Sequence, residues 1–91
     1  MTELGELLVD VHVRFEKAGV SVVRVGDYLA LEGTSEPVRI RVMDDPGHPP
    51  RVHLRSVTAA GEVTISTQRM SKLKSLIDYA RVLQQAAQRK T

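Results

Sequence analysis

Arginine at alternate positions of an apolar segment is the first feature of this sequence suited to holding a ligand. Arg39 and Arg41 alternate with Val38, Ile40 and Val42, and His53 and Arg55 alternate with Val52 and Leu54. Successive side chains of a strand point to opposite faces, so this spacing collects three guanidinium groups and an imidazole on one side of a sheet. The planar guanidinium fork matches phosphate and carboxylate geometry. A second basic set, Lys72, Lys74 and Arg81, lies in the last segment with Asp78 as its only acid, and Arg89 and Lys90 extend it. These seven residues, Arg39, Arg41, His53, Arg55, Lys72, Lys74 and Arg81, are the candidate contacts for an anion or a nucleic acid. Sheets that bind single-stranded RNA stack bases on exposed aromatics, and here only Tyr28 is available, on this face if Leu29 and Leu31 point inward. An ordinary solvated sheet face also needs polar residues, so the pattern alone fits both readings.

The other reactive side chains do not assemble into a centre. Asp44, Asp45 and His48 form the only compact chelating group, but their irregular spacing in a Pro-Gly segment is equally the chemistry of a turn. The chain has no cysteine, which removes thiolate nucleophiles and cysteine-ligated metals together. Ser71 and Lys74 satisfy an S-x-x-K pattern without its companion motifs, and a helix start explains them. His12 and His53 have no carboxylate or nucleophile partner in sequence, and arginine neighbours favour the neutral form of His53. No phosphate loop or zinc-protease pattern occurs. The expectation is a protein without catalytic residues, metal or cofactor, and a small enzyme of unknown reaction is the third reading.

The elements that position these residues follow from periodicity. Leu4, Leu7, Leu8, Val11, Phe15 and Ala18 make a helical stripe over residues 3–18, with Thr2 as N-cap and Gly19 as C-terminal stop. Strands are expected at 20–25 and 28–32, joined by a Gly26-Asp27 hairpin turn, then at 38–43, 51–58 and 62–67. The paired valines 22 and 23 leave the register of the first strand, and so the side taken by Arg24, open. Residues 44–50, DDPGHPP, are expected to form a mobile loop, because prolines donate no ladder hydrogen bond. Val63 and Ile65 are expected to face the core, with Thr64 and Ser66 outward. Ser71 is expected to cap a helix over 72–88 with the stripe Leu73, Leu76, Ile77, Ala80, Leu83 and Ala87, and residues 89–91 to fray.

The resulting fold class is α+β. An antiparallel sheet of four or five strands carries the N- and C-terminal helices on one face, in the order α-β-β-β-β-β-α. Its other face, bearing Arg39, Arg41, His53 and Arg55, is left uncovered.

Composition bounds what such a domain does. Ninety-one residues support one modest core, so residues 1–91 form a single small domain. No signal-like opening and no apolar run of membrane-span length occurs, which makes the cytoplasm the expected location and membrane association unexpected. Net charge is only +2, yet residues 1–45 hold nine acids and five bases while 46–91 hold two acids and eight bases. Such polarity steers acidic partners or lets two copies meet. The sequence therefore points to a non-enzymatic interaction or structural protein working as a homo-oligomer, most simply a dimer, such as an adaptor, chaperone or assembly component. The alternative is a nucleic-acid-binding protein using the arginine face and the basic last helix.

Overall fold

The computed structural model describes residues 3–89, with the backbone alone described for Glu3 and Arg89. The expected cap at Thr2 and the fraying of Lys90 and Thr91 lie outside the described residues. Helix α1 (Glu3–Lys17) is followed by β1 (Val22–Val25), β2 (Tyr28–Leu31), β3 (Val38–Asp45), β4 (His48–Thr58) and β5 (Gly61–Arg69). A 3-10 turn (Met70–Lys72) then leads into helix α2 (Leu73–Arg89). The strands form one antiparallel meander in the order β1-β2-β3-β4-β5.

Alternation decides which face is buried. Val22, Leu29, Leu31, Val38, Ile40, Val52 and Leu54 join Leu8, Val11 and Phe15 of α1 and Leu73, Leu76, Ile77 and Ala80 of α2 in one core. Both helices therefore roof the same side of the sheet. Full burial of each large apolar side chain contributes about 1.5–3 kcal/mol, and nine of them, Phe15 the largest, are completely enclosed.

The end of α1 follows the reading of Gly19. This residue takes φ +79°, a conformation open to glycine at little cost. Val20 N–H then donates to Phe15 C=O at 3.0 Å and Gly19 N–H to Glu16 C=O at 3.0 Å. These two bonds form the Schellman arrangement, and its apolar pair, Phe15 and Val20, is wholly buried. Two side chains of α2 complete the joint. Arg81 Nη2 donates to Ala18 C=O at 2.7 Å, and Gln84 Nε2 donates to both Ser21 C=O and Glu32 C=O at 2.9 Å. Gln84 is the buried polar residue of the core, and its amide ties α2 to the strand ends of β1 and β2.

Four local expectations are corrected. Residues 44–50 are not a mobile loop. β3 continues to Asp45 and β4 starts at His48, with those two residues paired across the turn Pro46-Gly47. Gly47 supplies φ +80° at the second turn position, and Pro46 suits the first. Pro49 and Pro50 precede Arg51, where pairing with β5 begins, so on that side no ladder bond is lost. Second, β5 is longer than 62–67 and carries a bulge. Leu54 pairs with Ser66 and Arg55 with Thr64, which leaves Ile65 unpaired. The extra residue reverses the facing beyond it. Ser66 thus shares the side of Leu54, and Thr67 shares the outward side of His53. Third, Val63 and Ile65 stay 52% and 37% exposed and are not core. Fourth, Ser71 lies within the 3-10 turn, and α2 proper starts at Leu73.

Replacing Gln84 with alanine removes the only described side-chain donor to Glu32 C=O. We expect Gln84→Ala to destabilise the fold by about 1–3 kcal/mol, measured as a lower urea midpoint with an unchanged slope.

Candidate functional site: a self-neutralised arginine face

The uncovered face is built from residues that alternate with the core. Cross-strand partners share a face, so the pairs Val23–Ala30 and Val25–Tyr28 lie outward on β1 and β2. On β3, β4 and β5 the outward rows are Arg39–Arg55–Thr64, Arg41–His53–Thr67 and Met43–Arg51–Arg69. Four of the expected site residues, Arg39, Arg41, His53 and Arg55, are therefore brought together as their spacing implied. Val23 and Val25 are 45% and 43% exposed, which places an apolar margin beside them.

Glu62 is the centre of the arrangement. Its Oε2 accepts from Arg39 Nη1 at 2.6 Å and from Arg41 Nη2 at 2.9 Å, and its Oε1 accepts from Arg41 Nε at 2.9 Å. Arg41 is thus bidentate, the strongest form of the pair. Arg55 Nε stands 3.3 Å from Oε1 without a hydrogen bond of its own, while its Nη2 approaches Glu62 C=O at 3.5 Å and its Nη1 the Met43 sulfur at 3.5 Å. The Tyr28 ring lies under two of these arginines, with Arg39 Cζ 4.5 Å and Arg41 Cζ 4.8 Å from its centroid. Cation–π contact of this kind favours planar guanidinium over ammonium. Asp27 adds a second, exposed carboxylate 3.4 Å from Arg41 Nη1.

The electrostatics follow from this crowding. Hydrogen bonds from Arg41 outweigh the burial that opposes them, and with those from Arg39 they lower the Glu62 carboxyl from 4.5 to about 2. The Arg41 pKa rises for the same reason. His53 is pushed down, first by burial and then by Arg55 and Arg51, with Asp45 acting weakly the other way. The imidazole is therefore neutral at pH 7. Its Nδ1 and the Oγ1 of its cross-strand partner Thr67 are buried without a hydrogen-bond partner. At the far end of the face Asp45 Oδ2 lies 3.4 Å from Arg51 and 3.5 Å from Arg69, and Arg69 Nη1 donates to Pro49 C=O at 3.0 Å.

The remaining expected contacts lie elsewhere. Lys72, Lys74 and Arg81 belong to the helix layer on the opposite side of the sheet. Lys74 pairs with Asp78 at 3.2 Å, as does Arg81, whose second fork arm holds Ala18. Arg81 thus acts as a structural tie between the helices. His12 pairs with Glu16 at 3.2 Å on α1. The acids and histidines near the Pro46-Gly47 turn are not gathered into a chelate, because Asp45 faces two arginines. Among the described residues no group of three metal-ligating side chains occurs.

Sequence reasoning missed Glu62, Arg51 and Arg69. The signal for Glu62 was available, since it alternates with the outward Thr64, and Arg51 alternates with the outward His53 and Arg55. Arg69 was hidden by the bulge at Ile65, which changes the side each later residue takes.

The class of molecule these features define is a helix-roofed antiparallel meander with a partly charge-compensated open face. The chain matches none of the family models, characterised proteins or solved structures with which it was compared.

A carboxyl lowered in the folded state stabilises that state above its unfolded pKa, and the contribution disappears as pH falls through the folded value. For Glu62 the window runs from about 4.5 down to about 2. We expect Glu62→Gln to lose about 1–3 kcal/mol at neutral pH. Its urea midpoint should approach that of the parent protein as pH falls through this window, read by circular dichroism.

Proposed function

We propose that the protein is a non-enzymatic interaction protein that works as a homo-oligomer, most simply a dimer joined through the uncovered sheet face. The observation that carries this reading is the composition of that face. Val23, Val25, Ala30, Tyr28 and Met43 lie beside arginines already compensated by Glu62. Protein interfaces are enriched in tyrosine, methionine and arginine and depleted in lysine, and the outward rows hold no lysine.

Size supports the same reading. The strands hold 4, 4, 8, 11 and 9 residues. At the spacing of sheets this is on the order of 600 Å² in projection, comparable with the roughly 800 Å² of accessible surface that a stable complex covers on each partner. The edges are poorer candidates. β1 is only four residues long, and β5 carries a bulge, a device that interrupts edge-to-edge pairing. A dimer with each roof outward makes a four-layer helix–sheet–sheet–helix particle with two-fold symmetry.

One observation favours nucleic acid as a second reading. Five arginines on this face, Arg39, Arg41, Arg51, Arg55 and Arg69, meet three carboxylates, Asp27, Asp45 and Glu62. The residual positive charge suits phosphate, but engaged forks must first release their carboxylates. The two readings differ in salt response, since phosphate contacts weaken steeply with salt and apolar contacts do not.

We expect light scattering to give a dimer mass at both low and high salt. Val23→Lys, an exposed change in the apolar margin, should shift the mass to that of a monomer while leaving the circular dichroism spectrum intact. A parent protein that is monomeric at both salts, yet binds short single- or double-stranded nucleic acid at low salt, would reverse the order of the two readings.

A further inference from the structure

A concave surface lies at the end of the sheet where α1 begins over its shortest part, and its lining runs from Leu4 and Arg24 on the helix side round to Arg41 and Met43 of the open face. β1 and β2 end at the Gly26-Asp27 turn, while β3 runs on past a register shift at Asp44. A groove of about 400 Å³ opens between these parts, and Leu4, Leu8, Val42 and Met43 line it. Leu4 and Met43 remain 38% and 36% exposed although both are large and apolar. Gly5 also lines the groove, and among the described residues nothing lies within 4 Å of where a Cβ on it would sit. Volume and apolar lining both fall in the range of small-molecule sites, about 300–1,000 Å³ with few polar groups.

The charged residues of this groove are Arg24, Arg41, Asp27 and Asp44, and Arg24 is the guanidinium among them with no described carboxylate partner. It pairs with Leu29 and so takes the helix side of β1, resolving the register left open by Val22 and Val23. Its Nε donates to Gly26 C=O at 3.1 Å. Among the described residues it meets no carboxylate, unlike the five arginines of the opposite face. Of the acids at the rim, Asp27 lies against Arg41 at 3.4 Å, and Asp44 sits exposed at the bulge. The first turn of α1 adds the positive end of a fifteen-residue helix. An apolar trough with one uncompensated guanidinium at its rim is complementary to a molecule with an apolar tail and a single carboxylate.

We propose that this groove binds a small amphipathic carboxylate of the medium-chain fatty-acid type. Its tail lies along Leu4, Leu8, Val42 and Met43, and its carboxylate is held by the terminal N–H groups of Arg24. The site borders the proposed dimer face, because Met43 and Arg41 of its lining also stand in the outward rows, and Val23→Lys leaves all of its lining unchanged.

The test is an NMR titration of the full chain with octanoate, octanol and octylamine, followed through backbone amide shifts. Octanoate is expected to give saturable shifts centred on Gly5, Gly26, Val42 and Met43, and the uncharged and cationic probes to bind at least about tenfold more weakly. Arg24→Gln should weaken octanoate by about tenfold without changing the circular dichroism spectrum, because Arg24 is exposed. Leu4→Ser should weaken all apolar tails alike. The proposal is overturned if octanoate gives no saturable shift at these amides, if octanol binds as tightly as octanoate, or if Arg24→Gln retains full affinity.

Discussion

One-sided burial governs this molecule. The meander places every second side chain under two helices, and no described element roofs the other side. The residues on that open side have to satisfy each other across the strands. Three arginines brought within a few ångströms on β3 and β4 repel one another, and a carboxylate on the neighbouring strand is the economical remedy. Glu62 is that carboxylate. Its contacts with Arg39, Arg41 and Arg55 span three strands, so the same ion cluster that lowers its pKa also fixes the lateral order of β3, β4 and β5. Tyr28 extends the cluster onto β2 by accepting both guanidinium planes on its ring.

The roof is held by a different chemistry. Helix ends leave carbonyl groups without partners, and the junction after α1 is where such groups gather. Its last turn closes on itself through Gly19 and Val20, and Arg81 takes the carbonyl of Ala18. Gln84 then spans the ends of two strands from a single amide. The bonds of Arg81 and Gln84 join residues more than fifty apart in sequence, so they complete the roof only after the sheet exists. From the sequence, Arg81 reads as an anion contact on a basic amphipathic helix, and Gln84 carries no signal of its own. They are polar residues chosen by the geometry of a buried joint.

The legibility of the sequence follows the same division. Arg39, Arg41, His53 and Arg55 were placed together by alternation alone, because register within a strand is a local property. The Gly19 stop and the Gly26-Asp27 turn were legible for the same reason. What escaped depends on pairing between strands. The bulge at Ile65 is a mismatch in length between β4 and β5, and neither strand records it by itself. It exposes Ile65, turns Ser66 inward and brings Thr67 beside His53. The Pro46-Gly47 hairpin escaped because its prolines were weighed as ladder breakers. In the fold, Pro49 and Pro50 occupy the part of β4 that extends beyond β5, where a missing N–H costs little. The partnership of Glu62 with the arginines is likewise a property of three adjacent strands, although its outward facing was within reach of alternation.

The contrast between Arg24 and the other sheet arginines ties these points to function. All lie on strands of one sheet, yet five sit on a face where carboxylates answer them and one sits on the helix side, where no carboxylate of the described residues does. Compensation changes what an arginine can recognise. A guanidinium already bound to Glu62 or Asp45 behaves as a flat, partly desolvated surface that favours packing against another protein face. A new anion must displace a carboxylate held at high local concentration. Among the described residues Arg24 has no carboxylate partner, and an anion reaching its terminal N–H groups leaves the Nε bond to Gly26 C=O in place. The two proposed selectivities, for a small carboxylate at Arg24 and for a broad protein contact on the open face, both rest on where Glu62, Asp27 and Asp45 are placed, with the arginine chemistry itself unchanged.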